Sequence, residues 1–339
     1  MNSPRPRLDP ATAETRRAVR TLLETARADR TVRDGDLVLV ALSGGPDSLA
    51  LAAATAFEAP KQALRAGAVI VDHALQDGSE TVATRASRQA AELGLGPVSV
   101  RRVAVGSDGG PEAAAREARH ASVAQAASDA GSRLVLFGHT LDDQAETVLL
   151  GLLRGSGPDS LSGMEPLAQR TDGLVYGRPF LQVRRHTTHQ ACVAAGLAPW
   201  HDPHNDDPAY SRVRVRNTLM PALERELGAG VPEALARTAD QLREDSAALD
   251  HFAEEMAEDI AEHSEAGISL SVRSLAANPP ALRQRLVRLA VESEFGVTLT
   301  RVQTLEVCRL VTDWHGQGPI DLPGVRASRS GDRLAFSAG

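Results

Sequence analysis

Residues 37–54 read LVLVALSGGPDSLALAAA, and this stretch decides the fold. The apolar run 37–42 is typical of a buried strand, and the run from Leu49 onward is typical of a helix. Between them, SGGPDS at 43–48 supplies two glycines, which permit φ > 0 and let an anion approach the backbone closely. Backbone N–H groups, two serine hydroxyls and the positive end of the following helix would all point at that anion. The stretch therefore predicts a strand, a phosphate-binding turn and a helix.

The turn is not a Walker A loop, because it lacks the lysine of G-x-x-x-x-G-K-[ST]. A plain glycine–serine hairpin is the alternative interpretation. The apolar strand before the turn and the helical run after it favour the phosphate site over the hairpin.

Composition limits the class of protein. The chain has 339 residues, 42% of them hydrophobic and 24% charged, which predicts a globular protein of two or three domains. The sequence has no apolar stretch near the ~18 residues of a membrane span, and residues 1–20 lack the apolar core of a signal peptide, so no membrane association and a cytoplasmic location are expected. Cys192 and Cys308 stand far apart, which excludes a CxxC motif. The net charge of −7 argues against a protein that coats nucleic acid, but permits local basic patches.

Apolar runs alternate with helical patterns through the first half of the chain. Strands are predicted at 37–42, 67–72, 97–103 and 133–138, with helices at 48–59, 79–94 and 111–131. This order predicts an α/β fold with a parallel, doubly wound sheet buried on both faces. Such sheets bind ligands beyond the carboxyl ends of their strands.

The second half of the chain shows a different sequence pattern. Helical patterns dominate from 212 to 263 and from 279 to 313, and short alternating segments between 320 and 336 predict terminal strands or a hairpin. We therefore expect a tail and first helix at 1–34, the α/β domain at 35–222, a helical domain at 223–315 and a short β segment at 316–339.

Two candidate sites flank the predicted nucleotide position. Val71 and Asp72 end the second strand, where backbone groups could hold an adenine edge; an ordinary strand end is the alternative. Arg116 and Arg119 are three residues apart and share a helix face, so they could form a fork for phosphates. Solvent-exposed arginines are the alternative for that pair.

The segment GHTLDDQAET at 138–147 follows a strand and opens a helix. Asp143 and Glu146 lie at i and i+3, so both carboxylates project to one side, close to His139. Two carboxylates suit Mg²⁺, which prefers oxygen ligands and can bridge nucleotide phosphates. The alternative is that these carboxylates only favour the start of the helix, through its dipole.

A fourth group of polar residues follows Trp200. Arginines stand at 212, 214 and 216, and Arg184 and Arg185 lie upstream. Guanidinium groups suit bidentate contact with phosphates, which indicates nucleic-acid contact. A solvated helix start explains the three later arginines equally well.

Five segments together resemble the tRNA(Ile)-lysidine synthases, and the resemblance covers roughly residues 35–222. The segments are SGGPDS, VDHALQ, AAREARH, GHTLDDQAETVLLGLLRGSG and DPHNDDPAYSRVRVRNTLMPAL. SGGPDS alone resembles the PP-loop of the ATP pyrophosphatases, whose fold is adenine-nucleotide alpha-hydrolase-like. The resemblance implies a ligase that uses ATP to adenylate the wobble cytidine of an isoleucine tRNA. Free L-lysine would then displace AMP through its ε-amine, giving lysidine, with AMP and pyrophosphate as the other products.

The resemblance also implies roles for particular residues. Asp47, His139, Asp143, Glu146 and Arg216 would form the catalytic group, with Asp143 and Glu146 holding Mg²⁺. The nucleotide would be bound by Ser43, Gly44, Gly45, Pro46, Asp47, Ser48, Val71, Asp72, Arg116 and Arg119. The helical domain would bind tRNA, and a homodimer is left open as the assembly. The chain departs from the family pattern at Gln76, His120, Thr140 and Val213.

Two alternatives belong to other classes. A tRNA 2-thiolation enzyme of the same superfamily would share SGGPDS, but it normally carries a paired-cysteine motif that this sequence lacks. A non-catalytic nucleotide sensor or RNA-binding module could keep the turn and dispense with the two carboxylates. The presence of both Asp143 and Glu146 argues against it.

Overall fold

The computed structural model describes residues 8–72, 78–103, 111–155, 157–264 and 267–339, with side chains of the helix that begins at Pro111 described from Glu117 onward. The chain divides into two compact units, Met1–Asp240 and Gln241–Gly339. Within the described ranges, no helix is long and apolar enough to cross a membrane.

The first unit is built on a six-stranded sheet in the order β3-β2-β1-β4-β6-β5. All neighbouring pairs are parallel except β5 with β6. The strands are β1 (Leu37–Ala41), β2 (Arg65–Asp72), β3 (Val98–Arg102), β4 (Leu134–Leu136), β5 (Leu167–Gln169) and β6 (Val175–Gly177). The predicted parallel α/β sheet is confirmed. Strands β5 and β6 were not predicted, because a strand of three residues is too short to give a recognisable sequence pattern.

Helices cover both faces of this sheet. They are α1 (Pro10–Ala28), α2 (Pro46–Glu58), α3 (Ser79–Glu92), α4 (Pro111–Asp129), α5 (Leu141–Arg154), α6 (Gly157–Leu161) and α7 (Arg185–Ala194). Side chains alternate along β1: Val38 and Val40 pack with residues of α1, α2 and α7, whereas Leu37 and Leu39 pack with residues of α4. Burial on both faces explains why β1 reads as a continuous apolar run.

The sheet has a topological switch point between β1 and β4. The chain first adds β2 and β3 on one side of β1, and it then crosses over and adds β4 and β6 on the other side. In open α/β sheets, ligands bind at such a switch point, beyond the carboxyl ends of the strands. The SGGPDS turn follows β1 and the GHTLDDQAET segment follows β4, so the topology brings both segments to the same edge.

The first unit continues in short helical pieces. These are α8 (Ser211–Arg214), a π-helical turn (Val215–Leu219), α9 (Met220–Leu227) and the start of α10 (Val231–Ile260). The helical stretch predicted from 212 to 263 is therefore interrupted. Gly228 and Gly230 both have positive φ, which ends α9 and separates it from α10.

The second unit contains a five-stranded antiparallel sheet in the order β7-β8-β11-β10-β9. Its strands are β7 (Ala261–Ser264), β8 (Gly267–Ser271), β9 (Ile320–Leu322), β10 (Val325–Ser330) and β11 (Arg333–Ala338). Its helices are α11 (Val272–Ala277), α12 (Pro280–Phe295) and α13 (Arg301–Thr312), and buried residues of α12 and α13 share one apolar core with the sheet.

The observed division differs from the expected boundaries at 222/223 and 315/316. The break falls after Asp240, and β7 and β8 lie inside the range expected to be helical. The terminal strands do not stand alone, because β8 pairs with β11 in antiparallel register from Gly267 to Ser271. Pairing between strands about 65 residues apart cannot be read from local periodicity.

Candidate active site

The SGGPDS turn folds into a small cradle at the end of β1. Gly44 has φ +83°, a conformation that favours glycine. The two serine hydroxyls lie 3.1 Å apart, and the backbone N–H of Ser43 donates to Ser48 Oγ at 3.2 Å. Helix α2 begins at Pro46, and no side chain in the described part of the chain caps it at Gly45. Its first-turn N–H groups are therefore available to an anion.

The end of β4 lies directly against this cradle. A Cβ on Gly138 would stand 3.1 Å from the carbonyl carbon and oxygen of Asp47 and 3.2 Å from the backbone nitrogen of Ser48. Backbone cannot yield as the tip of a side chain can. Glycine at 138 therefore allows the two segments to meet.

Asp47, in the first turn of α2, is the central carboxylate of the cradle. Burial raises its pKa to about 6, although a hydrogen bond from the Thr188 hydroxyl opposes the shift. Arg185 Nε lies 4.0 Å from Asp47 Oδ2, and His189 Nε2 lies 3.9 Å from Oδ1. Burial, and then the charge of Arg185, lower the pKa of His189.

The raised pKa of Asp47 gives a stability prediction. The native state binds more protons than the unfolded state between about pH 4 and pH 6, so the wild-type protein loses stability as pH rises through this window. Asp47→Asn should remove this loss and raise the free energy of unfolding above pH 6 by on the order of 2 kcal/mol, with little gain near pH 4. Urea unfolding of both proteins at pH 4 and pH 7.5 measures the difference. An equal gain at both pH values would contradict the account.

Two carboxylates and two arginines form an acid–arginine cluster beside Asp47, defined as Asp143, Glu146, Arg185 and Arg216. Arg216 donates to both oxygens of Glu146, from Nε at 2.8 Å and from Nη2 at 3.0 Å, and reaches Asp143 Oδ1 at 3.2 Å. Arg185 Nη2 donates to Asp143 Oδ1 at 2.8 Å and to Glu146 Oε1 at 3.1 Å. The side chain of Glu146 is only 2% exposed, so its charge needs these partners.

Local structure explains how Asp143 is held. Thr140 and Asp143 form a capping box at the start of α5, in which the Thr140 N–H and hydroxyl both donate to Asp143 Oδ2 at 2.8 Å. Burial alone would raise the pKa of Asp143, but Arg185, His139 and the Thr140 backbone together hold it well below its usual range. Asp143 therefore stabilises the start of α5 and is also part of the site.

The arginines between 212 and 216 do not share one environment. The π-helical turn contains Arg216, which points to the acid–arginine cluster. Arg212 Nε lies 3.4 Å from Glu146 Oε2, and its Nη2 donates to Thr147. Arg214 instead donates to the carbonyls of Pro208 and Ala209.

Arg184 and Arg185, which the sequence suggested as nucleic-acid contacts, are both engaged inside the first unit. Arg184 pairs with Asp142 at 3.1 Å and with Glu233 at 2.6 Å. Arg185 belongs to the acid–arginine cluster, and its backbone N–H donates to Asp142.

The surroundings of Asp143 and Glu146 do not fit a Mg²⁺ ion that is permanently bound to these two carboxylates. Both oxygens of each carboxylate already accept hydrogen bonds, from guanidinium groups or from Thr140. Within the described residues, no cluster of three or more histidine, cysteine, aspartate or glutamate side chains could hold a metal ion. A metal would have to displace Arg185 or Arg216 from the carboxylates.

These segments line a cavity of about 660 Å³ beyond the carboxyl ends of β1, β2 and β4. Its walls bring together most of the residues expected from sequence: Ser43, Gly45, Pro46, Asp47, Ser48, Val71, Asp72, Arg119, His139, Asp143 and Arg216. Glu146 lies behind the arginines that it binds. The side chain of Arg116 and residues His73 to Gln76 of the VDHALQ segment lie outside the described residues.

Sequence reasoning missed the contribution of α7. Arg185 and His189 line the cavity, and Thr188 binds Asp47 from the same helix. The paired arginines at 184 and 185 were a visible signal, but their charge was interpreted as a nucleic-acid contact. Nothing local in the run HTTH at 186–189 indicates that Thr188 would meet a carboxylate 141 residues earlier.

Comparisons with known proteins agree with this geometry. A family model described as a PP-loop domain matches residues 13–223, and one described as a TilS substrate binding domain matches residues 270–335. A tRNA(Ile)-lysidine synthase of Leifsonia xyli is 59% identical over 303 residues, covering 89% of this chain and 90% of the relative. One from Streptomyces coelicolor is 51% identical, covering 89% and 86%.

A solved structure, the U34-tRNA thiolase NcsA from Methanococcus maripaludis with its [4Fe-4S] cluster, superposes with a TM-score of 0.57 at 19% identity. It covers 69% of this chain and 80% of the thiolase. At that identity the likeness shows a shared fold alone.

Proposed function

Since the chain belongs to the tRNA(Ile)-lysidine synthase family, whose members are carbon–nitrogen bond-forming ligases, we propose that the cavity described above is its reaction site. There ATP would adenylate the wobble cytidine of an isoleucine tRNA, and free L-lysine would then displace AMP. One observation carries this proposal: an anion-binding turn, a half-buried carboxylate and two arginines converge at the switch point of the sheet.

The first step transfers adenylate to the cytosine O2. Attack on the α-phosphate builds negative charge on the phosphoryl oxygens and on the departing pyrophosphate. The N–H groups at the start of α2 and the hydroxyls of Ser43 and Ser48 suit the pyrophosphate. Arg185 and Arg216 line the same cavity, and the carboxylates of the acid–arginine cluster hold their guanidinium groups in place. Because these donors are already oriented, they need little rearrangement as the charge develops.

The second step forms the carbon–nitrogen bond. AMP is a far better leaving group than the base oxygen, so adenylation makes the displacement feasible. The lysine ε-ammonium must first lose a proton, and Asp143 is a poor acceptor because its pKa is lowered. Asp47, with a pKa of about 6, and His139 both line the cavity and are the acceptors that we propose.

The remaining parts of the proposal concern partners. Mg²⁺ would enter as part of the MgATP substrate and leave with pyrophosphate, since Asp143 and Glu146 do not fit a resident ion. The second unit would contact tRNA, as the match of residues 270–335 to a substrate binding domain supports. A cytoplasmic location and a homodimer stay expectations.

The 2-thiolation alternative is not favoured. Cys192 and Cys308 are both buried and lie in different units, and burial raises the pKa of each thiol to about 11. A thiol with so high a pKa is a weak nucleophile at neutral pH.

The products of ATP test the proposal. Incubation with ATP, lysine and unmodified isoleucine tRNA should yield AMP and pyrophosphate in equal amounts, and omission of tRNA should abolish both. Ion-exchange chromatography of labelled ATP separates these products. Release of ADP and phosphate instead would overturn the assignment of the turn.

A further inference from the structure

Trp200 forms part of the cavity wall, next to the SGGPDS turn. Its backbone N–H donates to the carbonyl of Gly44 at 2.9 Å. Two residues earlier, Ala198 exchanges two hydrogen bonds with the buried side chain of Gln89, at 2.8 and 3.3 Å. The segment that carries Trp200 is thus fixed both to the turn and to α3, and the indole is held on a rigid support.

The ring of Trp200 is half-buried, and within the described residues no other ring and no cation stacks on it. Phe137, the other Phe, Tyr or Trp side chain among the described cavity residues, is only 7% exposed. Phe137 packs against His120, His139 and Tyr176. A planar ligand in this cavity would therefore find its large aromatic surface at Trp200.

The proposed reaction supplies such a ligand. The wobble base stacks on its neighbours in the anticodon, and an enzyme that modifies the base must take it out of that stack. Proteins commonly replace the lost stacking with an aromatic side chain. Building on the proposed function, we infer that Trp200 is the stacking platform for the target cytosine.

Position favours the cytosine over the adenine of ATP. Trp200 is bonded to Gly44 in the turn that would hold the phosphates, where the reacting base oxygen must meet the α-phosphate. The expected adenine edge, at Val71 and Asp72, is at the end of β2. A base stacked on Trp200 would therefore lie beside the turn that is expected to hold the phosphates.

Fluorescence tests this inference directly, because the chain has only two tryptophans. Trp314→Phe leaves Trp200 as the single reporter, and Trp314 belongs to the second unit. Addition of an anticodon stem-loop with the wobble cytidine should quench the fluorescence, whereas the same stem-loop with an abasic wobble position should not. Quenching by ATP alone and not by RNA, or equal quenching by both stem-loops, would overturn the assignment.

Kinetics give a second readout. Trp200→Leu should raise the KM for tRNA roughly 5- to 150-fold, Trp200→Phe should have an intermediate effect, and the KM for ATP should stay unchanged. Unaltered melting curves establish that both variants fold. If the wild-type protein makes no lysidine, the proposed function fails. If it makes lysidine and Trp200→Leu keeps its KM for tRNA, only the stacking role fails.

Discussion

Asp47→Ala should lower AMP formation by about 10³-fold or more, because it removes the half-buried carboxylate at the point where the turn, Arg185 and Thr188 meet. The measurement is single-turnover release of AMP with saturating ATP, lysine and tRNA. Loss of activity through unfolding is separable, since removal of a carboxylate with a raised pKa should not lower the melting temperature at pH 7.5.

Thr188→Val is the matched control for Asp47→Ala. It removes the hydroxyl that donates to Asp47 but keeps the carboxylate, so its loss should be much smaller, about tenfold. Turnover of Asp47→Ala within tenfold of wild type would contradict the role of Asp47. So would a Thr188→Val variant as inactive as Asp47→Ala.

Asp143→Ala and Glu146→Ala should each lower adenylation by about 10²- to 10³-fold, and the double variant should be scarcely worse than the more damaging single variant. The two carboxylates bind the same two guanidinium groups, so loss of either one removes a hydrogen bond from both arginines and shifts both guanidinium groups from their positions. A double-mutant cycle on the rate of pyrophosphate release, which accompanies adenylation, measures this coupling. Asp159→Ala, at an exposed carboxylate on α6, is the control and should have no effect.

The same variants distinguish arginine positioning from metal binding. If Glu146 positions Arg216, Glu146→Gln should lower the rate without changing the Mg²⁺ concentration needed for half-maximal activity at fixed ATP. A large increase in that concentration would indicate a metal ligand. Independent, multiplicative losses in the cycle would show that the carboxylates only stabilise the start of α5.

The part of the site that sequence predicts well is local in the chain. The apolar run of β1, the glycines of the turn and the i, i+3 spacing of Asp143 and Glu146 each lie within about ten residues. The parallel direction of the strands then follows from the alternation of strands and helices, and it places the carboxyl ends of β1 and β4 at one edge of the sheet. For the same reason Gly138 could be recognised as a strand end before its contact with Asp47 was known.

The part that sequence does not predict depends on long-range contacts. Arg185 meets Asp143 across 42 positions, and Arg216 meets Glu146 across 70. Two carboxylates near a predicted nucleotide suggest a metal when their partners are unknown, and only the tertiary structure shows that guanidinium groups already bind them. The direction of Arg216 depends on a π-helical turn, which a pattern of 3.6 residues per turn does not describe.

Transfer of labelled lysine to tRNA tests the central claim most directly. With ATP present, the wild-type protein should attach one lysine to each unmodified isoleucine tRNA, and nuclease digestion should release the label as a modified cytidine. A tRNA with uridine at the wobble position should take up no label, nor should a reaction without ATP. Label that fails to enter the cytidine-containing tRNA, or that enters without ATP, would contradict the account.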